Sequence, residues 1–253
     1  MNNIDSIMIM PYTYLLRLLP LLVLICTTFA NVEKVIFVAP EAQALPSDAS
    51  IDNLLLQSLT SRKPAIRTFL TANFPTGEAK KGSETWLLLE DLDPGQRYEV
   101  RVCWLATQPT SFWLYEHSLD PVFGDSELLS SLTAYSNARR ASLSKHDLQI
   151  AQSASAQRGP SSSAATTFLF LQIFAAADYF TLNKTMMDHV PPVHVDLILD
   201  PFILNVLPKS LIRTGIYLIV IAVVGWFLSG YINTSLLQPI INPESKSPTR
   251  KQH

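Results

Sequence analysis

Residues 215–232 read GIYLIVIAVVGWFLSGYI, eighteen positions without a charge. No other feature restricts the fold of this chain as strongly. A backbone amide left unpaired in hydrocarbon costs several kcal/mol, so a single apolar segment in lipid must pair its own backbone as an α-helix. At about 1.5 Å per residue the run nearly covers a hydrocarbon core about 30 Å thick, and flanking residues extend it. A helix of a soluble core keeps one polar face, and this run has none. Tyr217, Trp226 and Tyr231 are aromatics of the kind that favour bilayer interfaces. The expectation is one transmembrane helix over residues 211–232.

A second apolar stretch opens the chain. Arg17 is followed by LLPLLVLIC and then by the small residues Thr28 and Ala30, the order of a signal peptide over residues 1–30. The segment before Arg17 is already apolar, so an uncleaved anchor is the alternative. Both place residues 31–210 in the lumen and the tail, residues 233–253, in the cytosol. The sequon NKT at Asn183 then faces the glycosylation machinery, whereas NTS at Asn233 lies at the cytosolic membrane edge and should stay unmodified. The last residues are RKQH, with Arg250 and Lys251. They resemble dibasic signals that retrieve proteins to the endoplasmic reticulum, and they are equally an ordinary stop-transfer cluster.

Composition excludes several classes. Hydrophobic residues make up 48% and charged residues 16%, with a net charge of -2. That supplies no basic stripe for nucleic acid. The two cysteines are Cys26 and Cys103. Cys26 lies in the N-terminal apolar segment, so a disulfide framework and a thiolate zinc site are both excluded. Cys103 reads as a small buried hydrophobe on a strand.

Between residues 31 and 125 short alternating runs recur: VEKVIFVAP, AIRTFLTANF, TWLLLEDL, RYEVRVCWLA and SFWLYEHSL. In the fourth, Tyr98, Val100, Val102 and Trp104 share one face and Glu99, Arg101 and Cys103 the other. Such division is expected of a half-buried antiparallel strand. Runs spaced in this way argue a mainly β domain, a β-sandwich. The block LEDLDPGQRYEV, residues 89–100, packs Asp93, Pro94 and Gly95 into a turn just before Tyr98. With Leu92 and the following valines it resembles the corner turn of fibronectin type III and immunoglobulin-like sandwiches. That resemblance implies a corner built by Leu92, Pro94, Gly95 and Tyr98, with the tyrosine hydroxyl bonded back to nearby backbone.

Residues 126–150 are expected to be helical, with Leu128, Leu129, Leu132 and Tyr135 on one face. Residues 151–167 are Ser/Ala-rich and read as a flexible loop between the fifth and sixth strands. FLFLQIFAAADYFTL, residues 168–182, supplies one or two strands. VHVDLILD then alternates Val193, Val195, Leu197 and Leu199 against His194, Asp196 and Asp200. Residues 201–213, PFILNVLPKSLIR, are too apolar for a solvated linker. Two readings stand: a segment lying at the bilayer interface, or a docking surface for a membrane partner built on Pro201, Phe202, Leu204 and Leu207.

No HExxH, GxSxG or Gly-rich phosphate loop occurs, and the chain has eight glycines. Asp91 and Asp93 form a DxD pair, but they sit in the corner turn, where Asp caps backbone. His189, His194, Asp188 and Asp196 cluster within nine residues. A metal or acid–base role is one reading, and solvent-facing strand positions the simpler one. Trp86, Trp104, Trp113 and Tyr115 suit a core better than a sugar-stacking platform. The expectation is a non-catalytic chain with no cofactor, no metal and no nucleic acid.

Three stretches narrow the class: NVEKVIFVAP at the expected mature N-terminus, LLLEDLDPGQRYEVRVCW, and VDLILDPFILNVLPKSL beside the membrane. Together they resemble the small accessory subunit of fungal glycosylphosphatidylinositol (GPI) mannosyltransferase II. The resemblance implies a single-span, type I protein of the endoplasmic reticulum membrane. It would be non-catalytic and support a multi-span mannosyltransferase that adds the second mannose to GPI precursors. A cargo-receptor or other trafficking module is the alternative, although the lumenal disulfide and coiled coil of such receptors are missing. A lumenal lipid- or glycan-modifying enzyme is the second alternative.

Overall fold

A computed structural model describes residues 31–42, 51–144, 167–232 and 235. The expected signal peptide, residues 151–166 of the Ser/Ala-rich loop, Asn233 and the tail with Arg250 and Lys251 lie outside the described residues. The loop's last residue, Thr167, is buried and leads directly into a strand.

The chain is mainly β, built as two stacked sheets. The first has the order β1 (Val32–Val38), β5 (Arg97–Trp104), β8 (Val193–Ile203) and β3 (Ala65–Leu70), with the two-residue β9 (Leu207–Pro208) paired to the end of β8. The second runs β2 (Gln57–Thr60), β4 (Ser83–Glu90), β7 (Phe168–Ala177) and β6 (Thr110–His117). Every pairing between these strands is antiparallel except β2 with β4. Among the described residues six strands rather than five therefore precede the long Ser/Ala-rich segment. The additional one is β2, whose four residues QSLT carry no readable alternation.

The core follows from the period-2 rule. Tyr98, Val100 and Val102 of β5 and Val193, Val195, Leu197 and Leu199 of β8 are at most 2% exposed. They meet Leu87, Leu89, Leu169, Leu171 and Ile173 from the other sheet. Each such side chain contributes roughly 1.5–3 kcal/mol relative to exposure. Burial on both faces explains why β4 reads as the nearly continuous apolar run TWLLLE rather than as an alternation. Its outer side, Trp86 and Leu88, packs with Phe170 under two helices, α1 (Leu119–Gly124) and α2 (Ser126–Ser142). Asp125 caps α2 by accepting the Glu127 N–H at 2.8 Å. Trp86 Nε1 donates to Ser131 Oγ at 3.1 Å, and Arg139 Nε to the Leu55 carbonyl at 2.7 Å. Leu128, Leu132 and Tyr135 face this second core, whereas Leu129, expected among them, points outward. The inward stripe instead continues through Ser136, which is buried and donates to the Leu54 carbonyl at 3.1 Å.

One glycine is demanded by packing. Gly82 enters β4 at φ +74°, and a Cβ there would collide with the Ala175 carbonyl of β7.

The two ends of the sandwich differ. At one end β8 pairs Pro201 with Tyr98, so this end holds the corner turn and the hairpin that leads into α4 (Leu211–Ile232). At the other, β8 starts at Val193 opposite Leu70, and a loop containing α3 (Lys184–Asp188) joins it to β7. Eleven residues of strand separate these ends by roughly 30–35 Å. No residue of α4 is buried, and α4 alone among the described helices is long and apolar enough to cross a membrane.

Candidate functional site

The corner is a β-turn over residues 93–96. Pro94 occupies its second position and Gly95, at φ 72°, its third, while the Gln96 N–H reaches the Asp93 carbonyl at 3.1 Å. Glycine at the third position is what a type II turn requires. Tyr98 is 1% exposed and stacks on Phe37 with centroids 6.0 Å apart. Its hydroxyl accepts the Asp93 N–H at 3.0 Å and donates toward the Asp93 carboxylate at 3.4 Å. Leu92 is buried beside it. Gly95 N donates to the Ala39 carbonyl at 3.0 Å, which ties the corner to the end of β1.

The same corner grips the segment before α4. Residues 201–208 fold as a hairpin rather than as an extended linker. Residues 201–203 prolong β8, and residues 203–206 form a tight turn closed by Val206 N to the Ile203 carbonyl at 3.1 Å. Leu204 and Asn205 both have left-handed backbones, at φ 52° and 57°. Positive φ at both central positions is the mark of a type I′ turn, and Val206 is a third loop residue before Leu207 pairs with Ile203. Asn tolerates a positive φ, whereas Leu carries a steric cost of about 1–2 kcal/mol. Asn205 staples the turn to the corner. Its Oδ1 accepts the Arg97 N–H at 2.8 Å and its Nδ2 donates to the Gly95 carbonyl at 3.0 Å. Gln96 adds a short side-chain bond to the Phe202 carbonyl.

Of the four residues expected to dock a partner, two present large apolar surface. Leu204 is 90% exposed and Leu207 43%. Pro201 is half-buried in its pairing with Tyr98. Phe202 is a correction: it is buried at 6%, with the Arg97 guanidinium 5.9 Å from its ring centroid. Extending β8 through residue 203 brings Phe202 under Arg97, so it shores up the hairpin from below. Val206, 77% exposed, takes its place on the surface. The missed signal is the LN pair between two apolar stretches. It marks a turn once residues 201–213 are read as a hairpin.

The polar face of β5 also needs correction, because it is not solvated. Glu99 and Asp200, from neighbouring strands, are both buried. Lys34 Nζ lies 3.2 Å from Glu99 Oε2, and Arg101 Nε 3.2 Å from Glu99 Oε1. Arg101 Nη2 reaches Asp200 Oδ2 at 3.4 Å and the Ser210 hydroxyl at 3.2 Å. Asp200 in turn accepts the Ser210 N–H at 3.2 Å, and Lys209 N donates to the Pro201 carbonyl at 2.9 Å. A chain of ion pairs across β1, β5 and β8 thus ends on the residue that precedes α4. Through Ser210 the start of α4 is bonded to the sheet.

The residues weighed for chemistry fall elsewhere and apart. Asp196 forms a two-pronged pair with Arg67 at 2.7 and 2.8 Å, and that guanidinium holds its carboxyl below the ordinary carboxylate value. His194 packs against the Phe69 ring, with centroids 3.9 Å apart. Asp188 and His189 belong to α3 and its C-cap, and His117 bonds to Gln172 at 2.9 Å. Asp93 is taken by Tyr98. Burial raises the half-buried Cys103 thiol above its ordinary pKa, with Arg101 opposing, so it is a poor nucleophile. Among the described residues no three His, Cys, Asp or Glu side chains are grouped to hold a metal. Trp86 lies under α2 and Trp104 packs on Phe112, 4.7 Å between centroids. Asn183 sits in the loop at the end opposite α4.

A protein-family model, Pga1, described as GPI-mannosyltransferase II co-activator, matches residues 21–225, which include the whole sandwich, the clasped hairpin and most of α4. Neither curated proteins nor solved structures return a match.

Proposed function

Because the chain belongs to the GPI-mannosyltransferase II co-activator family, we propose that it is a non-catalytic, single-span subunit of the endoplasmic reticulum membrane, with its sandwich in the lumen and a multi-span mannosyltransferase as its partner. The observation that carries this reading is the clasp. The corner turn, Asn205 and the Arg101 ion pairs hold an apolar hairpin in a fixed position beside the first turn of an apolar helix. Leu204, Val206 and Leu207 are exposed apolar side chains on that hairpin, a few residues before the apolar helix α4 begins at Leu211. A co-activator that stabilises and orients a membrane enzyme needs such a surface. The engagement of Asp93, Asp196 and His117 in structural bonds also supports a non-catalytic role.

The test is co-purification of the full chain from membranes with the GPI mannosyltransferase. Leu204→Asp with Val206→Asp should lower recovery of the enzyme at least tenfold and accumulate singly mannosylated GPI precursors, with the sandwich still folded. Unchanged recovery would remove the hairpin from the interface. Recovery with soluble cargo and coat proteins in place of the enzyme would favour a trafficking role.

A further inference from the structure

We propose that Asn183 carries an N-linked glycan whose first sugar ring packs on Phe180 and shelters Leu182, capping the end of the sandwich opposite the membrane; this rests on the lumenal reading above. The loop between β7 and β8 is tightly built. Asn183 N donates to Thr181 Oγ1 at 3.2 Å, and Asn183 Oδ1 accepts the Thr185 N–H at 3.1 Å. The Asn183 carbonyl accepts from Met186 N and Met187 N at 3.1 and 3.2 Å. Tyr179 closes the loop by donating to the Met186 carbonyl at 2.9 Å, and its ring packs edge-on against Phe74.

Within this well-bonded loop two large apolar side chains point outward. Phe180 is 81% exposed and Leu182 92%. Neither supports the core, yet the loop holds both beside Asn183. The residues around them specify the occupant. Asn183, Lys184 and Thr185 form a sequon. The cap on α3 engages Oδ1 and not Nδ2, the atom to which a glycan is linked. Phe180 precedes Asn183 by three residues, in a turn closed by the Thr181 hydroxyl. A pyranose ring has an apolar face of C–H groups that is attracted to the negative face of an aromatic ring.

In the transfer itself, Nδ2 attacks the anomeric carbon of a lipid-pyrophosphate-linked oligosaccharide. The N–C bond forms, the anomeric C–O bond to phosphate breaks, and the Nδ2 proton leaves as the lipid pyrophosphate is released. The glycan covers the apolar tip roughly 30 Å from the clasp. The membrane-proximal surface stays bare for a partner.

The experiment uses the full chain made in eukaryotic secretory cells. An endoglycosidase-sensitive mobility shift is expected, absent from Asn183→Gln and from Thr185→Ala. Complete removal of the glycan should lower Tm by about 2–4 °C. Trimming to the first sugar should leave Tm unchanged, and in Phe180→Ala the difference between glycosylated and stripped protein should vanish. A Tm difference that persists in Phe180→Ala overturns the packing. Glu116→Asn, at an exposed position, creates an independent sequon with Ser118. If that site is modified and Asn183 is not, the inference fails while the lumenal reading stands. If neither is modified, the lumenal reading fails and takes the inference with it.

Discussion

Asn205 joins the corner to the hairpin, and replacing it separates two terms that the clasp combines. Its side chain makes two exposed hydrogen bonds, 2.8 Å from Arg97 N and 3.0 Å to the Gly95 carbonyl. At the exposed end of the usual range these contribute together about 1.5 kcal/mol. Its φ of 57° suits Asn and Gly but costs Ala about 1 kcal/mol more. Asn205→Gly should therefore loosen the hairpin by about 1.5 kcal/mol and Asn205→Ala by about 2.5 kcal/mol. Opening of the hairpin is read by amide hydrogen exchange of the full chain in detergent. The probes are Val206 N–H, bonded to Ile203, and Lys209 N–H, bonded to Pro201, because neither uses the Asn205 side chain. At about 1.4 kcal/mol per tenfold, exchange should quicken about tenfold in the glycine variant and about 60-fold in the alanine variant. Amides in the central strands β5 and β8 should keep their protection. Equal rates in the two variants would refute the backbone term. Wild-type rates in both would mean that the hairpin stands without the staple.

Tyr98→Phe removes a hydroxyl bonded to the Asp93 N–H and should cost about 1 kcal/mol, a fall of about 2–4 °C in Tm by thermal denaturation, with co-activation retained. Arg101→Met removes the cation shared by Glu99 and Asp200, while Lys34 still pairs Glu99 and the Ser210 N–H still serves Asp200, and should cost about 2 kcal/mol, measured by denaturant unfolding. A loss under 1 kcal/mol would mean that the carboxylates are satisfied by other groups. The Arg67–Asp196 pair lowers the Asp196 pKa, so its contribution is fully present above the ordinary carboxylate range and is lost as pH falls through the lowered value. Both groups are exposed, so Asp196→Asn should leave Tm at neutral pH within error.

Legibility differed by element. β5 and β8 alternate cleanly because one face of each meets the other sheet, and their inward residues were readable one by one. β4 was visible as a strand but not as a doubly covered one, since a run of apolar residues does not say what covers it. β2 escaped notice because four residues with a single buried leucine carry too little pattern. In residues 201–213, hydrophobicity alone singles out Leu204 and Leu207, and the fold leaves both exposed. Phe202 was misplaced because it is buried where β8 pairs with β5, whose Arg97, over its ring, lies 105 positions away in the chain. The Arg101 network was invisible for the same reason: Glu99 and Asp200 look like solvated strand positions until β5 and β8 are side by side.

The sequence by itself determined the features that rest on local periodicity and composition. A charge-free run must satisfy its own backbone as a helix, alternating runs must bury one face, and Pro94–Gly95 must turn. Tertiary structure alone decided how these parts are joined. It placed the corner turn against the hairpin and ended a chain of ion pairs around two buried carboxylates on the residue before α4. It also set the sequon loop at the far end of the sandwich. Those relations depend on which strands become neighbours, and strand neighbours are chosen by packing between distant segments.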